Sequence, residues 1–259
     1  MLLDAQGAKD ISPRCPPSED ATGRPAFRAS VSGAAALANA CAEVIAANRL
    51  GNAYLRPIVY FDEGGLGLDV APLKAHSFVA AMPWKSHLGD ASERGVKLKT
   101  TTWRRTPSSS LPPLKICGGY TNAILAKREA TSSGYDEALF VDERGFVCEA
   151  TGENLFLVKK GKVIAPTHPD ALPGITRATI VELTRAEERP VTVEELREAD
   201  EIFLTGTSAE VAAVGLFDGR EMPRGPATRE ISAMYQALVH GETSMHRDWL
   251  FEILFLQRE

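Results

Sequence analysis

Two closely spaced hairpin signals in the second half of this 259-residue chain constrain its fold more than any other feature. Strand-like runs at 138–141 and 146–149 flank the turn Asp142-Glu143-Arg144-Gly145, and runs at 154–158 and 162–165 flank Lys159-Lys160-Gly161. Short apolar runs rich in β-branched and aromatic residues, joined by tight glycine-containing turns, pair as antiparallel strands. Isolated hairpins are marginal in water, so two in succession require a sheet packed against further structure. This pattern argues against a doubly wound parallel sheet.

Around the hairpins, further elements can be read. Strands are expected at Tyr54–Phe61 (YLRPIVYF), at 66–70, at 77–82, at 96–103 and at 202–205, the last ending in Gly206-Thr207-Ser208. Pro57 inside the first run predicts an edge position or a bulge, because proline cannot donate to a ladder. Helical spacing begins near Ser32, with Leu37, Cys41, Val44 and Ile45 on one face and Gly51-Asn52 as the stop. Other helical patterns cover 120–131, 177–188 and 229–238. Residues 1–30 carry Pro13, Pro16, Pro17 and Pro25 without apolar periodicity and read as loop. The stretch 83–90 (PWKSHLGD) reads as a linker, and the Pro-rich 108–113 as a loop. Segregated helices and mostly antiparallel strands predict an α+β fold, with a small domain over 1–90 and a larger one over 91–259.

Charge and composition remove whole classes of function. With 29 Lys+Arg against 34 Asp+Glu, the net charge is −5, and no basic stripe suits nucleic acid. The pairs Arg104-Arg105 and Lys159-Lys160 read as solvated surface. Cys15, Cys41, Cys117 and Cys148 form no C-x-x-C pair and no disulfide framework, and Cys41 and Cys148 fit buried packing positions. Five histidines without H-E-x-x-H or paired spacing predict no protein-built metal site. No run of 18 apolar residues is present, and the N-terminus lacks the basic-then-apolar order of a signal peptide. The expected location is the cytoplasm, with no membrane partner.

Three turns invite a ligand reading. Gly64-Gly65-Leu66-Gly67 does not open a helix, so it reads as a strand bend and not as a phosphate cradle. Leu172-Pro173-Gly174-Ile175-Thr176-Arg177 does open one, and free N–H groups beside a glycine and a hydroxyl suit a phosphate. Its alternative reading is a plain helix start with a threonine cap. Gly206-Thr207-Ser208 is a second small-residue turn able to offer N–H groups to an anion. Two such turns suit a phosphorylated cofactor without identifying it.

In this order, Lys115-Ile-Cys-Gly-Gly-Tyr120, Glu149-Ala-Thr-Gly-Glu-Asn-Leu-Phe156, LPGITR and Leu204-Thr-Gly-Thr-Ser-Ala-Glu210 resemble the fold-type IV pyridoxal-phosphate enzymes. Tyr54-Leu55-Arg56-Pro57 and Ala80-Ala-Met-Pro-Trp84 are similar to the branched-chain amino acid aminotransferases within that class. The resemblance spans roughly residues 34–250. It implies a two-domain fold, pyridoxal 5'-phosphate as cofactor, amino acid and 2-oxo acid substrates, and a homodimer or larger assembly. By resemblance Lys115 bonds the cofactor aldehyde and shuttles the α-proton, Glu149 faces the pyridine nitrogen, and Tyr120 bonds the phenolic oxygen. Ile175, Thr176 and Thr207 are implied to hold the phosphate. Ser208 is implied to bind the substrate carboxylate through its N–H, and Tyr54, Arg56 and Trp84 to line the substrate side. Arg56 suits a second carboxylate such as that of glutamate.

The chain also departs from the family. Relatives carry an N-terminal strand region and an arginine that clamps the phosphate, and neither Arg24 nor Arg28 sits in such a motif. An incomplete small domain and weakened cofactor retention are expected. The rival readings are a D-amino acid aminotransferase or aminodeoxychorismate lyase of the same fold, and a non-catalytic, cofactor-poor relative.

Overall fold

The computed structural model describes residues 34–61, 64–65, 67–83, 88 and 90–250. The readings made for residues 1–30, for Leu66 and for Trp84 fall outside the described residues. The described residues divide into two units, those among 1–85 and 244–259 and those among 86–243.

In the first unit, helix α1 (Ala34–Ala47) accompanies strands β1 (Tyr54–Phe61) and β2 (Ala75–Met82). The strands pair antiparallel without a break, from Tyr54 opposite Met82 to Phe61 opposite Ala75. Among the described residues β1 pairs with β2 alone. Among the described residues Pro57 therefore sits in an edge strand, and the register runs past it without a bulge. Cys41 is buried on α1, as its spacing predicts. The strand expected at 66–70 does not form over 67–70. There the Asp69 carboxylate accepts the Ala71 N–H at 3.0 Å, closing a turn that competes with extended pairing.

The second unit is a mixed sheet with helices on its faces. In chain order it holds α2 (Ala91–Arg94), β3 (Val96–Thr100), α3 (Thr121–Ser132), β4 (Glu137–Val141), β5 (Val147–Ala150), β6 (Asn154–Lys159) and β7 (Lys162–Pro166). Then come α4 (Ile175–Thr184), β8 (Glu187–Arg189), α5 (Val193–Arg197), β9 (Glu201–Gly206), β10 (Glu210–Phe217), β11 (Arg220–Glu221) and α6 (Pro226–Val239). The strand order is β5-β4-β3-β10-β9-β6-β7-β8, with β11 beside β10. Pairing is parallel only for β3 with β10 and β4, and for β7 with β8. The α+β expectation holds.

Both hairpins have local causes. Lys160 and Gly161 take φ of 52° and 72°, two left-handed residues whose twist matches the flanking strands β6 and β7. In the other turn the Asp142 carboxylate accepts the N–H groups of Arg144 at 2.9 Å and Phe146 at 2.8 Å. Helix α4 is shorter than its spacing suggests. Arg185 turns left-handed (φ 51°), and Glu187–Arg189 leaves the helix to pair with β7.

Side chains alternate across the sheet, and both faces are buried. Leu139, Leu155, Leu157, Ile202 and Leu204 point into one core. Phe156, Val158 and Phe203 point the opposite way, into α4 and α6 through Ile180, Ile231 and Tyr235. Helix α3 lays Ala123, Ala126 and Ala130 against Ala138 and Phe140, the small residues allowing close approach. The two ends of the strand order also meet, since Val147 N–H donates to Val191 C=O at 2.8 Å. The sheet thus curls around the first core.

Phe156 and Phe203 stack with centroids 5.0 Å apart, and both are fully buried. Phe156→Ala is expected to cost about 3–5 kcal/mol, read by denaturant unfolding. A cost under about 1 kcal/mol would show that the helices repack freely. No described helix is long and apolar enough to cross a membrane.

Candidate active site

Strand β5 ends in a buried glutamate, and three segments converge on it. Glu149 Oε1 accepts Arg105 Nε at 2.7 Å, and Oε2 accepts Leu172 N–H at 2.8 Å and Asn154 Nδ2 at 3.5 Å. Burial pushes the Glu149 pKa up, while the Arg105 guanidinium, the Leu172 N–H and the charge of Lys115 oppose the rise. A carboxylate accepts about four bonds, so Glu149 keeps room for one more donor. Cys148, directly before it, is a packing thiol, its pKa driven up by burial and by the charge of Glu149.

Arg105 overturns a reading from sequence. Its side chain is 11% exposed, and besides Glu149 it donates from Nη1 to Gly119 C=O at 2.7 Å. The expectation of a solvated pair holds for Arg104, which is exposed, and fails for Arg105. The cause is non-local, because the burying partner lies 44 residues away. Nothing in the adjacent residues distinguishes the two arginines. One usable signal existed: a buried strand-end glutamate needs a cation or a proton.

Lys115 lies on the loop leading into α3. It is exposed, its Nζ donates to the Tyr120 hydroxyl at 2.8 Å, and it stands 5.3 Å from that ring's centroid. Tyr120 occupies the position just before α3. The loop is pinned at three points along its length. Glu129 on α3 accepts Thr102 N–H at 3.1 Å, Asn122 Nδ2 donates to Arg104 C=O at 2.6 Å, and Asp170 accepts Ser108 N–H at 2.6 Å. Lys115, Tyr120 and Glu149 are thereby brought into one neighbourhood.

The two small-residue turns differ in character. Helix α4 starts after Gly174 with no side-chain cap, so the threonine-cap reading fails and the first N–H groups lack an internal acceptor. A Cβ on Gly174 would run into the Asn154 side-chain oxygen, so any larger residue there requires the Asn154 amide to shift. Thr176 is buried and its hydroxyl bonds Tyr235, while Ile175 is half exposed. The backbone N–H of Thr176, more than its hydroxyl, is thus available to a ligand. Strand β9 ends at Gly206, and Thr207 and Ser208 form the turn into β10. Thr205, beside this turn, carries a buried hydroxyl without a hydrogen-bond partner.

In the first unit, β1 sets Tyr54 and Arg56 on one face, two residues apart. The guanidinium lies 5.2 Å from the Tyr54 centroid and donates to its hydroxyl at 3.0 Å. Trp84 lies outside the described residues.

Comparison with known proteins places the chain in a family. Residues 32–217 match the family described as amino-transferase class IV. A branched-chain-amino-acid aminotransferase of Pseudomonas aeruginosa is 39% identical over 212 residues, 78% of this chain and 69% of that protein. The branched-chain aminotransferase of Thermoproteus uzoniensis, solved with norvaline, superposes with a TM-score of 0.81 at 35% identity, covering 86% of this chain and 77% of the other. The branched-chain amino acid aminotransferase of Thermobaculum terrenum, solved in its PLP-bound holo-form, gives 0.76 at 33% identity, covering 83% of this chain and 73% of the other.

Proposed function

The chain belongs to the class IV amino-transferase family, and from that premise we propose that it exchanges amino groups between branched-chain L-amino acids and 2-oxoglutarate with pyridoxal 5'-phosphate. The observation that carries this reading is the gathering of Lys115, Tyr120 and an Arg105-paired Glu149 in one neighbourhood. The donor set fits the cofactor. An uncapped helix start after Gly174 and an unpartnered Thr205 hydroxyl beside the Gly206 turn suit a phosphate, and Glu149 has capacity for a ring N–H. Pyridoxal 5'-phosphate supplies an aldehyde that carries the amino group and an electron-withdrawing ring.

The residues then have separate tasks. Lys115 Nζ, held by the Tyr120 hydroxyl, accepts the α-proton in its uncharged form and returns it. Tyr120 orients that amine and offers its hydroxyl to the cofactor's phenolic oxygen. Glu149 supplies a fixed negative charge in a buried site. The N–H groups of Ile175 and Thr176 and the turn at Thr207 hold phosphate, and the Ser208 N–H takes the substrate carboxylate. Tyr54, Arg56 and Trp84 are assigned to the substrate side.

Arg56 is assigned to the distal carboxylate of glutamate, which leucine lacks. Arg56→Ala is expected to raise KM for glutamate about 10- to 100-fold, the worth of a charge-assisted bond, and to change leucine kinetics little. Equal losses for both substrates would make Arg56 a structural residue.

Assembly as a homodimer is part of the proposal. Leu114, Ile116, Ile124 and Leu125 are all exposed on the lysine loop and the start of α3, and exposed apolar side chains close together in the chain suit an interface. Ile124→Glu is expected to convert a dimer to monomer in light scattering, and an unaltered mass would place the interface elsewhere. Cytoplasmic location fits the free thiols of Cys41, Cys117 and Cys148.

The direct test is glutamate production from 2-oxoglutarate with L-leucine, L-isoleucine and L-valine, against D-alanine as comparator. Preference for the three L-substrates supports the proposal. Preference for D-alanine, or no transfer by cofactor-saturated protein, overturns it.

A further inference from the structure

We propose that Glu137 and Glu153 form a buried carboxyl pair sharing one proton, a pH-linked clasp that holds the turn between Glu149 and Asn154. Glu137 is fully buried at the start of β4, and Glu153, in the turn after β5, is 4% exposed. Neither takes part in the tasks assigned above.

The hydrogen bonds define the pair. Glu137 Oε1 accepts the N–H groups of Ala138 at 2.8 Å and Thr151 at 3.3 Å, and also the Thr151 hydroxyl. Its Oε2 accepts Lys127 Nζ at 2.5 Å. Glu153 is hydrogen-bonded to Glu137, and its Oε2 accepts the Gly152 N–H at 3.3 Å. Ionised carboxylates are acceptors only, so a bond between two carboxyls requires a proton. Charge balance points the same way: Lys127 offsets one of the two buried carboxylate charges, and a retained proton removes the other.

The surroundings set where that proton leaves. Burial and the charge of Glu137 on β4 push Glu153 up to about 8, against the pull of Lys127 on α3 and of the Gly152 N–H. From β9 the neighbour is Gly206, which brings no charge.

What the clasp positions is the candidate site itself. Residues 150–153 connect Glu149 to Asn154, and Asn154 Nδ2 in turn bonds the Leu172 C=O at 2.9 Å. A Cβ on Gly206 would stand 3.5 Å from both Glu153 Cγ and Gly152 O, so the same turn underlies the Gly206-Thr207-Ser208 turn. Glu153 is a positioning residue, acting through the backbone it holds. Ionisation of both partners would set like charges against each other and loosen both turns.

The linkage has a definite sign. Glu153 titrates at about 8 in the folded chain against 4.5 as its ordinary value, so the folded state binds the extra proton between these limits. The stabilisation is full below the ordinary value and is lost as pH rises through the folded value.

Infrared difference spectroscopy on the full chain without added cofactor tests the pair directly. The parent is expected to show a protonated-carboxyl C=O band that disappears as pH rises through about 8 and is missing in Glu153→Gln. Unfolding equilibria give an independent reading. Between about pH 5 and 8, the folding constant of Glu153→Gln should gain about tenfold per pH unit on that of the parent, then level off. Should that variant fail to fold, Glu137→Gln removes the neighbouring charge, and the Glu153 band should then vanish at least about one pH unit earlier. Absence of a Glu153-dependent band near neutral pH, a pH-independent stability difference, or an unmoved band in Glu137→Gln would each overturn the proposal. None of these measurements depends on amino transfer.

Discussion

Lys115→Ala is expected to abolish amino transfer between leucine and 2-oxoglutarate, lowering turnover by about 10³-fold or more while leaving the fold intact. The size follows from the loss of the group proposed to take the α-proton, a role worth about 10²–10⁴-fold by itself. It follows also from the loss of the amine that bonds the cofactor aldehyde. The intact fold follows from exposure. Lys115 is at the surface and its bond to Tyr120 is exposed, so its removal should shift stability by no more than about 0.5 kcal/mol. Borohydride treatment of the cofactor-loaded parent, followed by peptide mapping, should put the added mass on Lys115. A label on another lysine, or an alanine variant that still turns over, would remove Lys115 from the mechanism.

What could be read from the sequence was what local chemistry determines. The turns at Asp142 and at Lys160-Gly161 are closed by their own side chains and dihedrals, so both hairpins were legible in the order of residues itself. The start of α4 was legible for another local reason, the Pro173-Gly174 pair ahead of a helical run, although the threonine cap read there does not form. Strand β10 was not legible. Its residues EVAAVGLF pair with β9 on one side and with β3, more than 100 residues earlier, on the other. A strand buried between such partners needs no alternation, and Gly215 in its middle lowers any propensity signal. The end of α4 was misread because helical periodicity continues past Arg185, where pairing with β7 takes over. In the candidate site, Lys115, Tyr120 and Glu149 were named through motif resemblance, and the fold brings them near one another. Arg105 and the Glu137–Glu153 pair escaped, since each owes its character to burial created by a partner elsewhere in the chain.

Glu149→Gln is expected to slow the half-reaction with leucine by about 10³-fold while pyridoxal phosphate still binds. The substitution preserves shape and an acceptor oxygen, and it removes the charge that keeps the pyridine nitrogen protonated. Opposite charges about 4 Å apart at an effective dielectric near 20 attract by roughly 4 kcal/mol, near three units of pKa. Single-turnover formation of the 2-oxo acid measures the rate, and absorbance after gel filtration measures retention. The variant also strands Arg105, nine-tenths buried, without its partner, and breaking such a pair costs about 3–5 kcal/mol of stability. Thermal unfolding therefore has to accompany the kinetics, so that loss of fold is not taken for loss of chemistry. Arg105→Met separates the two roles. Burial already raises the pKa of Glu149, and removing the guanidinium that opposes this raises it further, so the acidic limb of the leucine half-reaction should move to higher pH. In Glu149→Gln/Arg105→Met the limb should be gone, because the group that titrates is gone. If Glu149→Gln reacts at the parent rate, Glu149 serves only to neutralise Arg105, and another residue must hold the ring nitrogen.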